Sequence, residues 1–181
     1  MRPLALISTL AAALLVFGPF AVAESGSVFT ELTESACAVV PASGEPGDTE
    51  DGLRCDGPAG YQVLTYVGDD RASASVIDPS GARHDLELWQ VVTRNFSSLG
   101  PRAEWVIKQQ DGKAVPIALI LPVLAHEDID QPDHTTLYHA VAKLTPEETC
   151  VVERVVATGS EPRAAGWAEG LAAAPCLEAL P

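Results

Sequence analysis

From Tyr61 onward the chain is a succession of short apolar or alternating runs cut by turn residues, the pattern of β-strands rather than of helices. Tyr61 to Val67 and Ala72 to Ile77 flank Gly68-Asp69-Asp70 and predict a hairpin. Asp78-Pro79-Ser80-Gly81 predicts a turn, because proline presets φ and glycine admits positive φ. Leu86 to Val92 reads as a third extended run. In Ala103 to Gln109 the apolar Trp105 and Ile107 alternate with Glu104 and Lys108, which describes a strand with one wet face. Asp111-Gly112 is the sharpest hairpin signal in the chain. The run that follows it, Ala114 to Leu121, is apolar on both sides and predicts a covered, central strand, so Pro116, which lacks an N–H, must fall at a bulge, an end or an unpaired stretch. Thr136 to Leu144 and Cys150 to Ala157 form a last pair around Thr145-Pro146-Glu147-Glu148. The period then changes: Ser160 can cap a helix with Pro162 in its first turn, and Ala164, Trp167, Ala168 and Leu171 share one face. These elements predict an α+β domain, an antiparallel sheet of about six strands with a C-terminal helix, Ala164 to Ala173, packed against it.

The N-terminal third has another character. Met1-Arg2, an apolar run from Leu4 to Phe20 and Ala21-Val22-Ala23 have the order of a secretory signal peptide over residues 1–23. Glu24 to Glu34 reads as a polar leader, and Pro41 to Asp56 as a surface loop rich in proline, glycine and acid. Residues 57–181 are then the single folded domain. Lys and Arg total 11 against 25 Asp and Glu, a formal net charge of -14, which excludes a nucleic-acid binder of the usual basic kind. The expected location is the periplasm or the extracellular space, with no stable membrane anchor after signal cleavage. In such a compartment four cysteines, Cys37, Cys55, Cys150 and Cys176, read as two disulfides, and proximity favours Cys37 with Cys55 and Cys150 with Cys176.

Candidate chemistry is sparse. The densest polar stretch runs from His126 to His134 with His139 behind it. Imidazole and carboxylate there are metal-ligand types, and His126, Asp130 and His134 form the minority metal alternative. The spacing matches neither H-E-x-x-H nor an EF-hand loop, and the acids suit a solvated loop. No nucleophile elbow, phosphate loop or dinucleotide fingerprint is present, so no cofactor and no catalytic residue is assigned and the expectation leans away from an enzyme. Phe96 to Trp105 mixes aromatic residues with Arg and Glu, types that anchor interfaces when exposed. Arg71, Arg102, Glu104 and Trp105 are therefore the candidate contacts. The acidic charge favours a basic partner, such as a basic protein of the cell envelope. The reading that follows is a non-enzymatic binding or inhibitor-like module, with a small metal-binding protein or hydrolase around His126 to His139 as the alternative.

Arg54-Cys55-Asp56-Gly57 with Gly60-Tyr61, Gly68-Asp69-Asp70-Arg71, Phe96 to Trp105, Pro116-Ile117-Ala118 and Thr149-Cys150-Val151-Val152 resemble a family of small periplasmic proteins of unknown function from Gram-negative bacteria. Ser98 to Trp105 is the most specific piece. The resemblance implies location and a β-rich fold with two disulfides, and no activity; Val151 stands where the family carries a histidine. A looser likeness, through Cys55-Asp56-Gly57 and Ser80-Gly81-Ala82-Arg83, is to periplasmic inhibitors of c-type lysozyme, with His84 in place of an aromatic tyrosine.

Overall fold

A computed structural model describes residues 25–41, 51–128, 130–131, 133–158 and 170–181. The expected signal peptide lies outside them. The described chain is β1 (Ser25–Glu31), β2 (Ala38–Val40), β3 (Gly52–Asp56), β4 (Gln62–Gly68), β5 (Arg71–Ile77), β6 (Arg83–Asp85), a one-turn helix α1 (Leu88–Val91), β7 (Ser97–Leu99), β8 (Arg102–Gln110), β9 (Lys113–His126), β10 (Thr135–Leu144) and β11 (Thr149–Val156). The strands form one sheet in the order β1-β8-β9-β7-β5-β4-β3-β2, with β10 and β11 continuing from β9 and β6 added to β5. The sheet curls into a half-barrel.

This corrects the α+β expectation. Eleven strands stand where about six were expected. The sheet is mixed, because β5 and β7 meet in parallel at Arg71 and Ser97. Helix among the described residues is confined to α1 and to 3-10 turns at Pro58–Gly60 and Leu171–Ala173. The predicted helix at Ala164 to Ala173 falls largely outside the described residues, and where the chain is described again, Leu171–Ala173 is a 3-10 turn. Leu86 to Val92 is not a strand: Glu87 takes a left-handed conformation (φ 48°), which breaks the extended chain and starts α1. Strands β1 and β3 lie in the stretches read as leader and loop, β2 lies between them, and all three pair into the same sheet.

The turns follow local chemistry. Asp69 and Asp70 both have positive φ, as do Asp111 and Gly112, so the β4–β5 and β8–β9 hairpins close through two-residue turns whose twist matches the strands. Along β8, Ala103, Trp105 and Ile107 face the interior, where they meet Val63, Ala74, Val76, Leu119, Leu121 and Val123. Trp105 is completely buried, its indole N–H donates to Thr30 Oγ1 at 2.9 Å, and its ring lies 5.9 Å from that of Tyr61. A Cβ at Gly57 would come within 2.4 Å of the indole, so the chain passes there only because the residue is glycine. Pro116 is opposite Ile107 where the β8–β9 register shifts, and the bulge accommodates its missing N–H.

Both disulfides take the pairing that proximity favours, Cys37–Cys55 and Cys150–Cys176. The first ties the segment after β1 to β3, with Cys55 wholly buried. The second holds the C-terminal segment against β11, where Leu177 N–H also donates to the Val151 carbonyl at 2.8 Å. Such cross-links fit an oxidising compartment. Among the described residues no helix is long and apolar enough to cross a membrane.

Candidate functional site

The half-barrel is open where β7 parts from β5. After the single pair Arg71–Ser97 the two strands separate, while β7 stays registered on β9 through Ser97–Ala125, Ser98–Leu124 and Leu99–Val123. The gap is a cleft of about 660 Å³. Its floor is apolar, built from Leu32, Leu53, Val67, Ala72 and Leu99, with Phe96 beside them. Its rim is polar, carrying Thr33, Asp70, Ser98, His126 and Asp128. The alternation of β4 and β5 sends Val67 and Ala72, which are opposite each other in the register, to the inner face.

Around the rim the charges are unevenly engaged. Arg71 Nε donates to the Arg94 carbonyl at 2.9 Å, its guanidinium also pairs with the Asp69 carboxylate, and its charge lies 5.3 Å from the Phe96 ring. Asp128 accepts from the Asp130 amide at 2.9 Å and from Gln131 Nε2 at 2.6 Å. The Asp70 carboxylate has no partner among the described residues.

A second feature lies on the outer face of the β1–β8 pair. Phe29 is opposite Glu104 and Glu31 is opposite Arg102, so these side chains share one face. Phe29 is 49% exposed, and the Arg102 guanidinium lies 4.7 Å from its ring. Glu104 accepts a hydrogen bond from the Ser27 hydroxyl. The candidate contacts therefore separate. Arg102 and Glu104 belong to this outer patch, Arg71 belongs to the rim of the cleft, and Trp105 is in the core, where it touches no surface.

The residues of the metal alternative are not gathered. His126 is at the end of β9 and on the cleft rim, while Asp130 and His134 follow in the connection to β10. Among the described residues the one group of close ligand atoms is Glu148, Cys150 and Cys176, whose two sulfurs are already joined as a disulfide. His139 is buried in β10.

A polar network closes the β5–β6 turn instead. Asp78 accepts from the Ser80 hydroxyl at 2.6 Å and from the Ser80 and Ala82 amides at 2.8 and 3.0 Å, and lies 3.3 Å from His84 Nε2. The Ser80 hydroxyl is the main reason that the Asp78 carboxyl titrates well below the usual range, against a desolvation effect that works the other way. Ser80 and His84 both contact Asp78 from separate sides, an arrangement that shapes the turn and does not activate the hydroxyl.

The sequence alone did not point to Leu32, Leu53, Thr65 or Val67 as site residues. Of the stretch Phe96 to Trp105, whose residue types suit an interface, the first six residues line the cleft. No family model, curated protein or solved structure matches this chain.

Proposed function

We propose that the protein is a non-enzymatic, inhibitor-like binding module of the periplasm or extracellular space that acts on a basic protein of the cell envelope. The observation that carries this reading is the outer patch of the β1–β8 pair: a half-exposed Phe29 under the Arg102 guanidinium, flanked by Glu31 and Glu104, on a chain with net charge -14. Aromatic and Arg side chains are the residue types that dominate binding energy at interfaces. The surrounding acidic field draws a cationic partner and speeds encounter at low salt. A sheet cross-linked at two places holds such a patch in one geometry, so little ordering entropy is lost on binding.

The test uses the full disulfide-bonded chain as bait in a periplasmic extract at low and high salt, alongside a lysozyme-inhibition assay. The expected result is a stoichiometric basic partner that is lost at high salt and lost again in the Phe29→Ala and Arg102→Ala variants. Capture that ignores salt and both substitutions overturns the reading, as does turnover that depends on added metal and disappears in His134→Ala.

A further inference from the structure

We propose that the open end of the half-barrel is a binding site for a small amphiphilic cation, an aromatic or branched aliphatic body carrying an ammonium or guanidinium head. This site is separate from the outer patch and does not depend on the protein partner proposed above. Its volume of about 660 Å³ falls within the roughly 300 to 1,000 Å³ of sites that enclose whole small molecules. The apolar floor of Leu32, Leu53, Val67, Ala72 and Leu99 favours a ligand with a hydrophobic body. The rim fixes the sign of its charge. Asp70 and Asp128 are both on the rim, and the Arg71 cation is already engaged by Asp69, the Arg94 carbonyl and the Phe96 ring.

Backbone geometry adds an acceptor. Gly100 N–H donates to the Pro122 carbonyl at 2.8 Å and His126 N–H to the Phe96 carbonyl at 2.9 Å. Antiparallel pairing alternates, so these bonds place the amide and carbonyl of Leu99 on the side of β7 away from β9. Beyond Ser97 no β5 residue pairs with that side, so the Leu99 carbonyl, like its N–H, turns from β9 toward the cleft that Leu99 lines. Two carboxylates and a strand carbonyl above an apolar floor complement a donor-rich cation with a hydrophobic tail, and they repel an anion.

The probe is phenethylammonium, titrated into the full disulfide-bonded chain by calorimetry and by amide chemical-shift mapping. Its neutral analogue 2-phenylethanol, the anion 3-phenylpropionate, and a blocked peptide bearing one arginine run beside it. Saturable binding with shifts at Val67, Ala72 and Leu99 is expected, about tenfold weaker for the alcohol and absent for the anion. Asp70→Asn with Asp128→Asn should weaken the amine about tenfold and leave the alcohol unchanged, so that the two bind alike. Ser98→Trp, which fills the mouth from the exposed side of β7, should remove binding. Should that variant not fold, the paired Asn substitutions carry the test, since they conserve size and asparagine tolerates the left-handed backbone of residue 70 (φ 57°). Equal affinity for amine and anion, shifts clustered elsewhere, no saturation, or full binding in the folded Asn variant would each overturn the proposal. Tight binding of the arginine peptide alone would overturn it too, because the site would then be a docking point for a protein side chain. Loss of the outer patch by Phe29→Ala should leave phenethylammonium binding intact, which separates this site from the protein-partner reading.

Discussion

Trp105 shows how one residue can read as a contact and serve as a keystone. Its aromatic type beside Arg102 and Glu104 makes it a candidate contact, while its alternation with Glu104 and Lys108 assigns it to the dry face of the strand, and β8 does turn it inward with Ala103 and Ile107. Inside, its N–H needs an acceptor, and Thr30 Oγ1 supplies one while donating in turn to the Asp56 carbonyl at 3.0 Å. Trp105→Phe should therefore cost about 1–3 kcal/mol, from lost ring volume together with a hydroxyl that loses its donor. A urea midpoint that falls at constant slope checks this. Asp78 tests electrostatics at the same scale. Its folded-state carboxyl titrates below the ordinary value of 3.8, so its contribution to stability is present above that value and is lost as pH falls through the lower, folded one. Asp78→Asn should lower the melting temperature at neutral pH and flatten its decline between roughly pH 5 and pH 2. Parallel acid limbs in the two proteins would contradict the assignment.

At the scale of elements, β4, β5 and β8 to β11 were legible because each is long enough to show alternation or a sustained apolar run and is bounded by turn residues. Pro116 was legible as well, since a missing donor leaves so few places in a sheet. The three-residue strands β2, β6 and β7 carry no readable period, and they are extended because a neighbour offers backbone partners. Strand β3 was hidden in a Pro, Gly and acid context that suits a loop, and β1 (SGSVFTE) has too little apolar contrast to show its period, since Val28 stays 44% exposed and Thr30 is the buried side chain. The cleft shares this cause: it is produced by the parting of β7 from β5, a topological event that leaves no local mark. Gly52 tests whether β3 is held as tightly as its pairing implies. A Cβ there would lie 2.3 Å from the Thr65 backbone oxygen, which the β3–β4 ladder fixes in place. Gly52→Ala should cost on the order of 1–3 kcal/mol, since the strand must move for the methyl to fit. An unchanged denaturation midpoint would show that β3 is loosely held.

For the whole molecule, the two disulfides differ in what they hold. Cys37–Cys55 closes 18 residues and Cys150–Cys176 closes 26, so the chain-entropy model assigns each about 3 kcal/mol. Their surroundings differ more than their loops. Cys55 is fully buried in the main core, whereas the second bridge anchors the C-terminal segment, where Leu171 covers Val106, Ala118, Ile120 and Val141 on the outer side of the sheet. Lys143 Nζ adds a bond to the Ala174 carbonyl at 2.9 Å, and the Leu180 amide donates to the Gln90 carbonyl at 2.8 Å. Replacing Cys150 and Cys176 with serine should therefore loosen this segment first: amides of residues 171–180 should exchange early and proteolysis should begin there, with the main transition shifted only modestly. Replacing Cys37 and Cys55 leaves a polar hydroxyl in the core and releases the edge of the sheet. That variant should lose global stability, with a melting temperature lower by on the order of 10 °C. Hydrogen exchange with thermal unfolding separates the two. A uniform loss of protection in the Cys150 variant, or a tail-only effect in the Cys37 variant, would reverse the roles assigned to the bridges.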